Sequence, residues 1–308
     1  PKMPKQIPLL QEITKSPLLL ADNSEQVFMA AIEYVVSHER AEQMLNARMA
    51  ANDDEFWGNP DDPDDWLHYY RPYHVVDGVL QIPIYGVLLH QYPWQMGRWA
   101  TGYKYIEMAL KRGLADTNVK AIALVIDSPG GEVRGCFELG DMLYEAREEK
   151  PIRAFAADSA YSAAYVMFSS ATDNRVTRSG GVGSIGVVTA HVSYAGALEK
   201  AGIEFTFIHA PEDGHKIDGN PYNKLSKPAK ERIQAKINKI YDLFVSTVVR
   251  NRGMEDQAVR DTKALTYDAD EAVTIGLADR VGVLEDELAI FATEVENDGD
   301  FFLATQPN

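Results

Sequence analysis

The chain has 308 residues, enough for one large domain or two ordinary ones, and its 45% hydrophobic and 25% charged content is typical of a globular protein. A net charge of −16 argues against nonspecific binding to nucleic acid or to anionic membranes, because both require clustered cations, and it leaves a polypeptide partner open. The single cysteine, Cys136, excludes an internal disulfide and favours a reducing compartment.

The first residues do not read as a secretory signal peptide, because Pro8, Glu12 and Pro17 interrupt their short apolar runs. No window along the chain reaches the roughly 18 apolar residues that a membrane span requires. The sequence therefore predicts a protein that is neither secreted nor membrane-spanning.

Residues 1–72 are predicted to form an N-terminal helical extension with an acidic linker. Residues 24–51 have helical apolar spacing, with Ser24 as a possible N-cap. In residues 53–66, seven of the first thirteen side chains are acidic. A calcium loop is the alternative interpretation of this run, but the EF-hand order of ligands and glycine is missing, so a solvated linker is favoured.

From Tyr73 onwards, strands and helices alternate. The predicted elements are two strands in 75–89, a buried strand in 121–131, an amphipathic helix in 132–150, a strand in 152–157, a helix that ends near Ser170, and a strand with a glycine-rich segment in 173–188. Such alternation predicts an α/β domain with a largely parallel sheet and right-handed crossovers. We place this domain at 73–290.

The second half of the predicted domain continues with a helix in AHVSYAGALEKAG and a strand at 203–210. A long helix follows, with Ser226 as N-cap and Gly253 as its C-terminal stop. Residues 271–282 predict a short helix, a turn and a last strand. Residues 291–308 have weak periodicity and are predicted to be a flexible tail.

Asp127-Ser-Pro-Gly-Gly131 follows the buried strand and is a candidate source of backbone N–H donors for an oxyanion. A phosphate loop is the rival interpretation, but neither GxxxxGK[ST] nor GxGxxG is present. A plain tight turn stays equally open when this motif is considered alone.

The stretch DSAYSAAYVM (158–167) offers two serines between a predicted strand and a predicted helix. Ser162 would lie at the helix N-terminus, where the dipole and the next amide favour a developing oxyanion. Ser159 lies earlier, where a turn residue is the ordinary interpretation. The G-x-S-x-G elbow is absent, and the local pattern alone favours Ser162 as a helix cap over Ser162 as a nucleophile.

None of the seven histidines lies in a sequence context that marks a catalytic base. Lys216, in GHKIDGNPYNKLS, is the other candidate, since a lysine can act as a base when burial lowers its pKa. A solvated loop lysine is the more frequent outcome for such a residue.

Five segments occur in order: IDSPGG (126–131), SAYSAAY (159–165), GGVGSIGVV (180–188), GHKIDGNPY (214–222) and EAVTIGLADRVG (271–282). Together they closely resemble the signal peptide peptidase A family of serine peptidases, in its phage branch of lambda-like head maturation proteases (the minor capsid protein C group). The resemblance covers about 75–283, roughly two thirds of the chain.

The resemblance implies a crotonase/Clp-protease-like α/β fold and a Ser–Lys dyad that requires no cofactor and no metal. By position, Ser162 is the nucleophile, Lys216 the general base, and the amides of Gly131 and Ala163 the oxyanion hole. The family often has Ser-Gly-Gly-Tyr where this chain has Ser-Ala-Ala-Tyr. Alanine disfavours positive φ, so a strained backbone at Ala163 would be a problem.

The resemblance also implies a homo-oligomeric ring in which serine and lysine can come from neighbouring protomers. The implied substrates are scaffold, portal or coat proteins, and the enzyme itself, inside a prohead in the host cytoplasm. Three alternatives stay open: a bacterial signal-peptide-degrading peptidase, a catalytically silent scaffold homologue, and a crotonase-type coenzyme A enzyme.

Overall fold

The structure is a computed structural model that describes residues 18–20, 29–30 and 75–297. Within the predicted helix at 24–51, only Met29 and Ala30 are described, and both are helical. The remainder of that helix and the acidic linker at 53–66 lie outside the described residues.

The elements alternate along the chain, as the sequence predicts. The first half contains β1 (Leu18–Leu20), β2 (Val75–Val76), β3 (Val79–Leu89), β4 (Gln95–Met96), β5 (Ala100–Gly102), α1 (Tyr103–Ala115), β6 (Ala121–Glu132), α2 (Cys136–Ala146), β7 (Ile152–Tyr161) and α3 (Ala163–Ser169). The second half contains β8 (Asp173–Thr177), β9 (Gly181–Gly183), α4 (Ala195–Lys200), α5 (Lys227–Arg252), α6 (Asp256–Asp261), β10 (Thr266–Asp268), α7 (Ala269–Thr274), β11 (Arg280–Gly282) and α8 (Leu284–Glu296).

The centre of the sheet is parallel, which confirms the predicted α/β class with a largely parallel sheet and flanking helices. β6 lies between β3 and β7, and both pairs are parallel. β7 then pairs in parallel with β8 through its first half and with β9 through its second half. In the described residues, each antiparallel pair includes a short strand, namely β1 on β6, β2 on β3, β4 on β5 and β10 on β9, and a further antiparallel bridge joins Leu18 and Val188.

The two faces of β6 explain how the sheet is covered. Ile122, Leu124 and Ile126 point into a large apolar core shared with helices α1, α2, α3 and α5. The alternating residues Ala121 and Ala123 point to the opposite face, where α8 packs. A strand that is buried on both faces reads as a nearly continuous apolar run, which is what the sequence shows.

The long helix α5 begins and ends where its sequence signals indicate. Ser226 accepts a hydrogen bond from Ala229 N at 3.3 Å and is therefore the predicted N-cap. Gly253 follows the helix with φ 63°, a left-handed conformation that favours glycine. None of the helices in the described residues, α5 included, is long and apolar enough to cross a membrane.

Two predicted elements are wrong. Residues 203–210 form no strand: Ile203, Phe205 and Ile208 are exposed, and Phe205 stacks on Tyr222 with ring centroids 4.3 Å apart. Apolar alternation alone does not make a strand, because a strand also needs a pairing partner, and these residues pair with no strand in the described part of the chain.

The predicted tail also begins too early, because α8 runs across residue 290. Phe291 is fully buried against Phe155, and Arg153 forms an ion pair with Glu294 at 2.7 Å. Residues 291–296 therefore belong to the folded domain. Phe291 and Val295 lie at i, i+4 spacing on the one apolar face of α8.

We predict that Phe291→Ala lowers the free energy of unfolding by about 3–5 kcal/mol, because it removes a large buried side chain from beneath the sheet. The neighbouring Ile290 is 41% exposed, so Ile290→Ala should change stability by less than about 1 kcal/mol. Urea denaturation of both variants measures the difference. A loss from Phe291→Ala no larger than that from Ile290→Ala would contradict the burial of Phe291 against the sheet.

Candidate active site

Ser162 lies at the junction between β7 and α3, where a buried strand turns directly into a buried helix. Its backbone has φ 56° and ψ −117°, an unusual conformation for a residue other than glycine. Ser162 N donates to Gly183 O at 2.8 Å, and Ser162 O accepts from Tyr165 N at 2.9 Å. These two bonds hold the strained residue in place, as is common for functional side chains.

The strain falls on Ser162 and not on Ala163, which is the first residue of α3 and has no positive φ. Alanine in place of the family's usual glycine is therefore compatible with the backbone at this point. All seven residues of α3 are buried, and Tyr165 OH donates to Leu277 O at 3.0 Å. Burial raises the pKa of Tyr165, so this hydroxyl stays neutral and anchors the helix.

The segment Asp127–Gly131 is not a tight turn. It continues β6 as an extended strand to Glu132, with register shifts after Tyr85 on the β3 side and after Ile126 on the β7 side. Gly130 has φ +105°, and its N–H donates to Ser128 Oγ at 3.1 Å. The glycines thus allow the strand to bulge without losing its neighbours.

Gly130 brings this strand against the serine. A Cβ built on Gly130 would lie 3.0 Å from Ser162 Cβ and 3.1 Å from Ala163 N. A Cβ on Gly131 would lie 2.0 Å from Leu88 O, so close packing excludes a side chain at either glycine. The structure therefore brings together Ser162, Ala163 and the strand that carries Gly131.

Lys216 lies outside this cluster. It is exposed, in a segment of turns at 211–220, and within the described residues its side chain forms no hydrogen bond or ion pair. The one hydrogen bond of Ser162 Oγ in the same residues is a 3.5 Å approach to Gly186 O, which is too long to be strong. Ser162 and Lys216, which the resemblance pairs as nucleophile and base, therefore form no hydrogen bond with each other within one copy of the chain.

Ser159 is not a turn residue. It lies in β7 opposite Gly181, and its Oγ donates to Asp127 Oδ1 at 3.1 Å. Asp127 also pairs with Arg98 at 2.8 Å. The Ser159 hydroxyl is therefore held in a partly exposed polar cluster.

Cys136 is a second potential nucleophile by residue type, but its surroundings oppose that role. The thiol is fully buried, and burial raises its pKa well above the ordinary value, which disfavours the reactive thiolate. Its Sγ approaches Ala163 O at 3.7 Å, so it packs under α3. Within the described residues, no group of three acidic, histidine or cysteine side chains is arranged to hold a metal ion.

Sequence reasoning missed one part of the site, the strand β1. Leu18–Leu20 pairs antiparallel with Gly130–Glu132, in register Leu19 to Gly131. A Cβ on Gly130 would also lie 2.1 Å from Leu19 O, so β1 reaches the glycine that contacts Ser162. The signal was the apolar triplet Leu18-Leu-Leu20, which is too short to predict a strand or its partner.

Comparison with known proteins agrees with the resemblance to the signal peptide peptidase A family. Residues 145–297 match the model of peptidase family S49. The head-tail preconnector protein GP5 of Enterobacteria phage P21 is 35% identical over 74% of this chain and 45% of its own length. The capsid assembly protease C of Escherichia phage lambda is 36% identical over 71% of this chain and 49% of its own length. The chain thus spans about half the length of these curated relatives.

Among solved structures, a point mutant of ClpP1 from Listeria monocytogenes is similar with a TM-score of 0.42 and 13% identity. The similarity covers 68% of this chain and 94% of that one.

We predict that Gly130→Ala lowers the free energy of unfolding by about 1–3 kcal/mol more than Gly97→Ala, from backbone strain and collision together. Both glycines have positive φ, but a Cβ on Gly97 meets nothing within 4 Å. Gly97→Ala therefore measures the strain of a milder positive φ, 53° against 105°, without any collision. Urea denaturation of both variants gives the comparison, and equal losses would mean that Gly130 is not in tight contact with Leu19 and Ser162.

Proposed function

We propose that this chain, which carries a peptidase family S49 domain, is a serine endopeptidase with Ser162 as nucleophile and Lys216 as general base. The observation that carries the proposal is the strained Ser162 at the N-terminus of a buried helix, in contact with a glycine strand. Acyl transfer requires a nucleophile, a base and hydrogen-bond donors for the oxyanion, and this arrangement offers the first and the last of these.

The proposed reaction uses neutral Lys216 to accept the proton of Ser162 as Oγ attacks the peptide carbonyl carbon. The amides of Gly131 and Ala163 donate hydrogen bonds to the oxyanion. The carbon–nitrogen bond then breaks, the protonated Lys216 supplies the proton to the leaving amine, and an ester to Ser162 remains. Water activated by Lys216 hydrolyses that ester and frees the serine.

We further propose that Lys216 reaches Ser162 of a neighbouring protomer in a homo-oligomeric ring. The exposed position of Lys216 and its lack of contact with Ser162 in one chain support this arrangement. The chain just before the segment that carries Lys216, residues 188–208, also exposes large apolar side chains, including Val192, Tyr194 and Ile208, which is 97% exposed. Such a patch is typical of a surface that another protein covers.

The proposed role is phage capsid maturation, with scaffold, portal or coat proteins as substrates, and the enzyme itself as a further one, inside the prohead of an infected cell. The names of the two phage relatives support this role. A signal-peptide-degrading peptidase is the alternative within the same family. A catalytically silent scaffold homologue is less well supported, because the chain has both Ser162 and Lys216.

We predict that Ser162→Ala and Lys216→Ala each lower casein hydrolysis by about four orders of magnitude, because residues of one catalytic unit fail together. Ser159→Ala is the matched control and should keep activity, because Ser159 contacts Asp127 and not the site. If the dyad is shared between protomers, mixing the two inactive variants should restore about a quarter of the activity.

Activity of Ser162→Ala equal to wild type would refute the nucleophile. Failure of the mixture, when the wild type is active and both variants assemble, would place Ser162 and Lys216 in one chain. A wild type that is inert in every assembled form would favour the scaffold alternative.

We predict that co-expression with neighbouring head proteins yields new termini in those proteins, measured by mass spectrometry, and that Ser162→Ala abolishes them. Because Ser162→Ala removes only the hydroxyl oxygen, a difference in new termini between wild type and variant reports the reaction at Ser162. Intact head proteins beside cleaved signal peptides would instead favour the signal-peptide role.

A further inference from the structure

β1 occupies the position next to Ser162 where a polypeptide substrate would be expected to bind. On one side it pairs with Gly130–Glu132 of β6. On its other side Leu18 exchanges two backbone hydrogen bonds with Val188, both 3.0 Å long. β1 therefore lies in a groove between the end of β6 and the segment 184–188, both of which also contact Ser162.

Most contacts of β1 are made by its backbone. The Leu18–Val188 pair and the register with β6 require only an extended peptide, and Ser184 Oγ approaches Leu20 O at 3.5 Å. Addition of a strand to a sheet in this manner is a general mode of peptide recognition, in which side-chain pockets supply the selectivity.

The side chain of Leu19 supplies the selectivity here. It is 0% exposed and belongs to the main apolar core, whereas Leu18 and Leu20 are only half-buried. The groove therefore selects one bulky aliphatic residue and tolerates variation on either side of it.

Ser162 is itself 0% exposed. A nucleophile that is buried beneath chain segments cannot meet a second polypeptide until one of those segments moves. In the described residues β1 comprises Leu18–Leu20 alone, whereas β6 extends over Ala121–Glu132 at the centre of the sheet, so β1 is the element of the groove that can leave with less disruption.

We propose that β1 is a substrate-like strand that blocks the peptide groove of its own chain, and that substrates with a bulky aliphatic residue at the position of Leu19 bind after displacing it. This inference rests on the proposed peptidase function, which gives the groove its role as a binding site for a substrate peptide. Occupancy of the groove by β1 can nevertheless be measured without any catalysis.

The test uses a fluorescent peptide of sequence KSPLLLADN, which copies residues 15–23, and the inert variant Ser162→Ala. Fluorescence anisotropy compares that variant with Ser162→Ala/Leu19→Asp, in which a charge in the apolar pocket expels β1. We expect the double variant to bind the peptide at least about tenfold more tightly, since it no longer competes with its own strand. A peptide with Asp at the central leucine should not bind.

Two further variants control for nonspecific effects. Met29→Asp introduces the same charge at a side chain that is 47% exposed and outside β1, and should leave binding as in Ser162→Ala. Leu18→Pro removes the N–H that donates to Val188 O without placing a charge in the core, and it should also increase binding of the peptide. This variant replaces Leu19→Asp in the test if Leu19→Asp fails to fold.

Equal binding by Ser162→Ala and both of its β1 variants would overturn the proposal. With Ser162 intact, Leu19→Asp should also raise casein hydrolysis above that of the wild type. If the chain proves not to be a peptidase, this activity gain is absent but the binding gain remains, so the two failures are distinguishable.

Discussion

The site depends on one packing constraint, the approach of three backbone segments to Gly130 and Gly131. Leu88 of β3, Leu19 of β1 and the Ser162–Ala163 junction all lie so close that a Cβ on one of these glycines would collide with or press against them. Only glycine satisfies this geometry together with φ +105° at residue 130. The bulged strand, the strained serine and the buried helix α3 are therefore parts of one arrangement.

The central fold could be predicted because its determinants are local and repeated. The apolar run of β6, the cap at Ser226 and the stop at Gly253 each have a physical signature in the sequence. Ser162 was different: its local pattern favoured a simple helix cap. It was distinguished from Ser159 only through the resemblance of the ordered motifs, and the structure then placed it against the glycine strand.

The features that sequence reasoning missed depend on long-range pairing. β1 consists of Leu18–Leu20, and these residues form a strand by pairing with Gly130–Glu132, more than a hundred residues away in the sequence. Residues 203–210 have strand-like alternation but pair with no described strand, and α8 packs through only one apolar face beneath β6. The sequence left open whether Lys216 serves Ser162 of its own chain or of a neighbouring one; in one chain Lys216 is exposed and Ser162 Oγ has its hydrogen bond with Gly186 O instead, which is why we propose that a second protomer completes the site.

The central claim is that Ser162 is a nucleophile, and mass spectrometric mapping of a fluorophosphonate adduct on the assembled protein tests it most directly. The reagent bonds covalently to an activated serine and leaves ordinary hydroxyls unmodified. The account predicts one adduct, on the peptide that contains Ser162, and its loss in Lys216→Ala. Modification at another serine, with Ser162 unlabelled, would contradict the account.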